Sequence, residues 1–152
     1  MIDNFKGKYY FLSNFYTAQV MYEDLFYKNN EAAFQSAKLK DKVKRMHFCD
    51  LDPSKAKSKG RSVLLRNDWE DIKDEVMYQC VKDKFNRNED LKQRLLDTGN
   101  EELVEGNTWH DNYYGNCICN RCRNIIGKNI LGKVLMRVRK EIKDCQKHIK
   151  EN

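Results

Sequence analysis

Proline occurs once in this 152-residue chain, at Pro53, and the seven glycines are scattered. With no Pro- or Gly-rich linker, no internal repeat and no low-complexity segment, nothing marks a boundary, and a single domain over residues 1–152 is expected. No apolar run approaches the roughly 18 residues that cross a bilayer, so a spanning helix is excluded. The opening Met1–Lys6 stretch lacks the basic-then-apolar layout of a secretory leader, which leads to a cytoplasmic expectation with no membrane partner. In that compartment thiols stay reduced, so the six cysteines read as core thiols or metal ligands before disulfides.

Charge is abundant but uneven. The chain carries 34% charged residues and a net charge of +6. Residues 38–66 hold ten Lys or Arg against three Asp, so the basicity is local to that segment. A local cationic field draws phosphate-bearing ligands or nucleic acid, although a solvated lysine-rich helix face has the same composition.

The patterning predicts an α+β fold that is mainly helical, with a small antiparallel sheet near the N-terminus. Tyr9–Leu12 and Val20–Tyr22 read as strands, and Glu23-Asp24 turns the chain into Leu25–Tyr27. Asn29 or Asn30 caps a helix that begins with Glu31 and runs through Leu39. A basic helix over about 42–49 and another from Pro53 to Gly60 follow. Asp68 is placed to cap a long core helix in which Trp69, Ile72, Val76 and Cys80 recur every three or four residues, beside Met77, Val81 and Phe85. Residues 88–98 predict a further helix ended by Gly99, then a short strand at Leu103-Val104. A C-terminal helix carries an apolar stripe of Leu131, Val134, Leu135, Val138, Ile142, Cys145 and Ile149.

Several segments taken in order carry a resemblance. They are Leu12-Ser13-Asn14-Phe15-Tyr16, Glu31-Ala32-Ala33-Phe34-Gln35 with Lys38, Gly60-Arg61, and Arg66-Asn67-Asp68-Trp69. Met77, Lys84-Phe85, the stretch from Leu95 to Gly99, Leu103-Val104-Glu105, Asp111, Gly115 and the stretch from Gly127 to Arg139 complete the series. The chain resembles the NADAR (YbiA-like) family over nearly its whole length. That resemblance implies a YbiA-like fold and hydrolysis of a ribose C1′–N bond. The implied substrate is a phosphoribosylamino-pyrimidine of riboflavin synthesis, or ADP-ribose attached to guanine in nucleic acid. Ala32 stands where YbiA-like members typically have His, and Tyr114 before Gly115 stands where they usually have Trp.

Cleavage of such a bond passes through an oxocarbenium-like transition state, which favours a carboxylate near C1′ and an activated water. The resemblance assigns that place to Glu31; by itself a first-turn Glu merely complements the helix dipole. Asp111 is the candidate second catalytic carboxylate, with Glu105 behind it, although an Asp in such a loop equally serves as an Asx-turn residue. Substrate contacts are expected from Asn14 on the sugar with Ser13 beside it, Lys38 and Arg61 on phosphate, and Phe15, Trp69 and Tyr114 by stacking, with Asn107 and Gly115 in the same polar loop. Lys38 lies seven residues beyond Glu31, a spacing that puts both on one helix face. Trp69 also heads the strongest apolar stripe and fits a core role.

Cys117, Cys119 and Cys122 form a Cys-x-Cys-x-x-Cys array that holds zinc if His110, His47 or Cys49 supplies a fourth ligand. The hydrolysis itself requires no cofactor, and the metal this loop suits is a structural zinc. The alternative is a reduced-thiol loop. The leading function is an N-glycosidase acting on a phosphorylated nucleotide-like small molecule or on ADP-ribosylated nucleic acid. The competing readings are a non-catalytic ADP-ribose or NAD-binding module, and a nucleic-acid module built on the basic segment.

Overall fold

A computed structural model describes residues 1–151. The chain folds as two compact units, one of Asn14–Leu91 and one that joins Met1–Ser13 to the segment from Lys92 onward. Each follows from its own local sequence, and together their elements are mainly helical with small sheets.

In the Asn14–Leu91 unit, β1 (Thr17–Tyr22) and β2 (Leu25–Asn29) form the expected antiparallel hairpin. Glu23 and Asp24 take φ of 45° and 69°, the left-handed pair whose twist matches that of the flanking strands. Val20 pairs with Tyr27, and both are buried. The helix α1 (Asn30–Ser36) starts without a loop because Asn29 is at once the last strand residue and the cap: its Oδ1 accepts the Ala32 N–H at 2.8 Å. α1 is shorter than the apolar pattern predicts. Beyond Ser36 the chain continues in tight turns, with Lys38 N–H donating to Gln35 O and Leu39 N–H to Ser36 O.

Helices α2 (Lys42–Met46) and α3 (Pro53–Ser62) are capped by Asp41 and Asp52, and Pro53 sits in the first turn where its missing N–H costs nothing. α3 runs two residues past the predicted stop at Gly60. The long α4 (Trp69–Arg87) buries Val76, Met77, Cys80, Val81 and Phe85 as the periodicity requires. Asp68 stands at its cap position but makes no capping bond; its carboxylate is gripped by Arg66, at 2.6 and 3.1 Å. α4 packs on β1, where Asp83 accepts the Met21 N–H at 2.7 Å.

In the other unit, the expected strand at Tyr9–Leu12 is a 3₁₀ helix over Gly7–Leu12. Gly7 enters it at φ 57°, and the aromatic run then buries Phe11 and Leu12 on one side. α5 (Glu89–Asp97), within which the division between the units falls, ends at Gly99, φ 66°. The strand expected at Leu103-Val104 is a single parallel bridge between Ile2 and Leu103, too short to be a strand. β3 (Gly106–Asn107) and β4 (Asn116–Cys117) pair in parallel over two residues each. α6 (Ile130–Glu151) is anchored at its start by Asn129, whose side chain accepts Glu105 N–H and donates to Leu103 O.

Further along α6, the buried Arg139 donates to Thr98 Oγ1 and Glu101 O, both at 2.8 Å, while Arg137 pairs with Glu141 on the helix surface. Burial on α6 ends at Ile142: Cys145 and Ile149, expected on the apolar stripe, are exposed. None of the six cysteines is in a disulfide.

Candidate functional site

Glu31 is 7% exposed, an unusual place for a carboxylate, and the surrounding amides explain how it is held. Its N–H donates to Asn14 O at 3.0 Å, and its Oε1 accepts from Gln35 Nε2 at 2.8 Å, one turn along α1. Asn14 Oδ1 in turn accepts from Asn30 Nδ2 at 2.7 Å, and both Asn side chains reach the Met77 sulfur. Asn30 Oδ1 and Gln35 Oε1 are buried acceptors without a hydrogen-bond partner among the described residues. Two orphaned acceptors flanking one buried carboxylate make a polar nest that a hydroxyl or a water can complete.

Lys38 lies in the turn after α1, not on its face, yet the turn keeps it within the field of Glu31. Its ammonium donates to Gly60 O at 3.3 Å. Desolvation lowers the Lys38 pKa, Glu31 raises it in part, and the neighbouring Arg61 lowers it again. Glu31, Lys38 and Arg61 are therefore one electrostatic group. Partial burial strengthens the pull of Lys38 on an anion by thinning the water around it.

Arg61 stands four residues beyond Lys57 on α3, so both point from one helix face, and the Lys57 ammonium lies 5.8 Å from the centre of the Phe15 ring. The sequence gives Lys57, Gln35 and Asn30 no role at a site; the four-residue spacing of Lys57 to Arg61 signals the first of them, and Gln35 stands in a motif segment. Trp69 is 5% exposed and packs at 5.2 Å against the Phe34 ring, so its indole is first of all core, the second of the two readings given above. Lys38 also lines a cleft of about 560 Å³ with Lys40, Lys44, His47, Lys59 and Arg66. Asp41 and the aliphatic Leu39, Val63, Leu64 and Leu65 share its lining, so the basic segment forms a concave, partly apolar surface of net positive charge.

Gly60 lets α3 approach this group. A Cβ there would come within 1.9 Å of Gln35 Oε1. Gly60→Ala is accordingly expected to displace the Gln35 amide from Glu31, to lower the melting temperature by a few degrees, about 1–3 kcal/mol of overpacking, and to cut turnover. Thermal unfolding and steady-state kinetics on the same preparation would show a fall in both; unchanged turnover would separate Gln35 from Glu31.

Lys84, in α4, is 1% exposed, with its ammonium 5.0 Å from the Phe85 ring centre and 5.8 Å from that of Tyr16. Burial pushes its pKa down to about 7.

The remaining candidates belong to the other unit. Ser13 closes the 3₁₀ helix, its N–H donating to Tyr10 O at 2.9 Å. Asn107 is buried, and its side chain organises a loop: Oδ1 accepts the N–H groups of Trp109 and Asp111, and Nδ2 donates to Asp111 O at 2.8 Å. Asp111 Oδ1 accepts the N–H groups of Tyr113 and Tyr114 at 3.0 and 2.9 Å, the Asx-turn arrangement. The structure thus spends Asn107 on the loop rather than leaving it open to a ligand. Tyr114 meets the Tyr113 ring edge-on at 4.8 Å, and a Cβ at Gly115 would fall 2.0 Å from Glu105 Oε2, so only glycine admits that carboxylate. Cys117, Cys119 and Cys122 converge with His110 in the same loop.

A family model described as NADAR domain matches residues 3–143. The chain is 34% identical over 139 residues to an N-glycosidase of Nostoc punctiforme, covering 87% of this chain and 85% of that protein. It is 32% identical over 133 residues to N-glycosidase YbiA of Shigella flexneri serotype 5b, covering 86% of this chain and 79% of that one. It is also 34% identical over 139 residues to the chloroplastic riboflavin biosynthesis protein PYRR of Arabidopsis thaliana, but spans only 22% of that longer protein's length. The NMR structure of Escherichia coli YbiA superposes with a TM-score of 0.79 at 30% identity, over 96% of this chain and 89% of that one.

Proposed function

We propose, on the premise that the chain belongs to the NADAR domain family, that it is an N-glycosidase hydrolysing a ribose C1′–N bond with Glu31 as its central catalytic carboxylate. The observation that carries this reading is a buried Glu31 gripped by Gln35 within the field of Lys38 and Arg61. A carboxylate fixed in a place poor in water stabilises positive charge developing at C1′ without having to reorganise as the charge appears. As the C1′–N bond breaks, the bonding pair leaves with nitrogen. A water oxygen bonds to C1′, and the proton that water loses balances the one the leaving nitrogen takes up. Glu31 is positioned to orient that water or to receive its proton.

Lys38 and Arg61 hold the substrate phosphate, Arg61 as a two-pronged donor and Lys38 as a point charge. Asn14, half-buried beside Glu31, receives a ribose hydroxyl. Phe15 offers a ring for the base, under the ammonium of Lys57. Asp111 is assigned to its turn rather than to the reaction.

Two substrate classes suit these groups, a phosphoribosylamino-pyrimidine and ADP-ribosylated guanine in nucleic acid. Relatives named for riboflavin biosynthesis support the first. The cationic cleft that shares Lys38 favours the second, because a nucleic-acid strand presents phosphates on both sides of the target base. Incubating the protein with each of these and with NAD, followed by chromatography and mass spectrometry of the products, decides between them. Release of the amino-pyrimidine names the small-molecule class, and restored guanine with free ADP-ribose names the nucleic-acid class. Ligand retained without any product would overturn the enzyme reading in favour of a non-catalytic ADP-ribose or NAD-binding module.

A further inference from the structure

Outside the Glu31 group, the densest gathering of reactive side chains is the loop that follows β3 and β4. His110 Nδ1 lies 3.4 Å from Cys122 Sγ, 3.3 Å from Cys119 Sγ and 3.9 Å from Cys117 Sγ. All four ligand atoms fall within 4.8 Å of one another. Hydrogen bonding does not account for this. One imidazole nitrogen donates a single N–H or accepts at a single lone pair, and three sulfurs crowd the same atom.

A tetrahedral zinc does account for it. Zn–S bonds of about 2.3 Å and a Zn–N bond of about 2.0 Å place nitrogen and sulfur roughly 3.5 Å apart along each edge of the tetrahedron, which the three distances bracket. The separations suit one ion; the thiolates of an iron–sulfur cluster sit around a larger core. We infer that His110, Cys117, Cys119 and Cys122 form a closed structural zinc site. The three-thiol array in the sequence leaves the fourth ligand open among His110, His47 and Cys49, and the structure assigns it to His110.

The local chain is built to present these ligands. Asn107 Oδ1 receives the N–H groups on both sides of His110, holding that residue at φ 69°. Cys117 ends β4 with its N–H on Asn112 Oδ1, and Cys119 starts the turn that returns Cys122, whose N–H donates to Cys119 O at 3.0 Å. Three thiols and one imidazole fill a tetrahedron, so no position remains for water, and the ion is a staple rather than a Lewis acid. Binding converts each thiol to a thiolate and releases its proton to solvent. Because Asp111 and Tyr114 lie between His110 and Cys117 in the chain, the ion closes the loop that carries them.

The test uses the tag-free full chain, grown with zinc and purified without chelator. Elemental analysis is expected to give about one zinc per chain, and Co²⁺ in its place an intense tetrahedral visible spectrum with thiolate charge transfer. Alkylation mapped by mass spectrometry needs no variant. Zinc is expected to shield Cys117, Cys119 and Cys122 and to leave the labelling of Cys49 and Cys145 unchanged. Cys119→Ser is expected to weaken zinc retention by at least about tenfold. Absence of zinc from the supplemented protein, or alkylation of the three thiols indifferent to zinc, would overturn the site. These readouts are independent of turnover, so they stand or fall apart from the glycosidase reading.

Discussion

Replacing Glu31 by Gln is expected to leave the melting temperature within about 2 °C of the parent and to lower kcat by about 10²- to 10⁴-fold, with KM changed far less. The substitution keeps the shape of the side chain, and the introduced amide oxygen can still accept from Gln35 Nε2, so the first turn of α1 is preserved. What disappears is a buried negative charge. A ground-state substrate, neutral at C1′, loses little by that; a transition state carrying positive charge there loses most of its stabilisation. The same change removes the attraction that partly offsets the desolvation of Lys38, so the Lys38 pKa should fall further and substrate binding should weaken at lower pH than in the parent. Steady-state kinetics across pH with the substrate identified by product analysis, beside thermal unfolding, makes the comparison. Full activity in the folded variant would show that the chemistry lies elsewhere.

The second large effect concerns stability. The Lys84 ammonium is held near a pKa of about 7 against an ordinary 10.5, for the single reason that it is buried. Between those values the unfolded chain binds a proton that the native protein lacks, so this group makes stability rise with pH from about 7 to about 10.5. Below pH 7 its cost is complete, with a ceiling on the order of 5 kcal/mol. The two aromatic rings within cation–π reach offset part of it. Lys84→Met keeps the stem and drops the ammonium. Its expected result is a gain of about 1–4 kcal/mol at pH 6, or roughly 3–10 °C in melting temperature, which shrinks toward zero near pH 10. Urea unfolding of both proteins at pH 6, 8 and 10 measures this. A variant less stable than the parent at pH 6, or a gap that does not vary with pH, would mean that the ammonium is retained for an interaction stronger than its burial cost.

Much of the architecture was legible before any coordinates. The α4 stripe, the Glu23-Asp24 turn, an asparagine cap at Asn29 or Asn30 and the proline-started α3 all depend on neighbours within four residues, and sequence displays such neighbours directly. The misreadings share the opposite property. Tyr9–Leu12 has the composition of a strand, but a strand requires a partner, and none is supplied by adjacent residues. Leu103 found only Ile2 across a hundred residues, enough for a bridge and no more. Cys145 and Ile149 keep the helical period of a buried stripe, yet period says nothing about where a covering surface ends.

The same division runs through the candidate site. By itself the sequence determined which groups were available: an acid at Glu31, cations at Lys38 and Arg61, three clustered thiols. Only the tertiary structure decided what each group faces. It brought Lys38 back toward Glu31 through a turn instead of along a helix, enlisted Gln35 through the space left by Gly60, and turned Trp69 into the core. It gave Asp111 Oδ1 the N–H groups of Tyr113 and Tyr114 and brought His110 beside the three thiols. Burial, pKa and the spacing of ligand atoms are properties of atoms that meet across sequence separation, and one chain read in order carries the atoms but not the meetings.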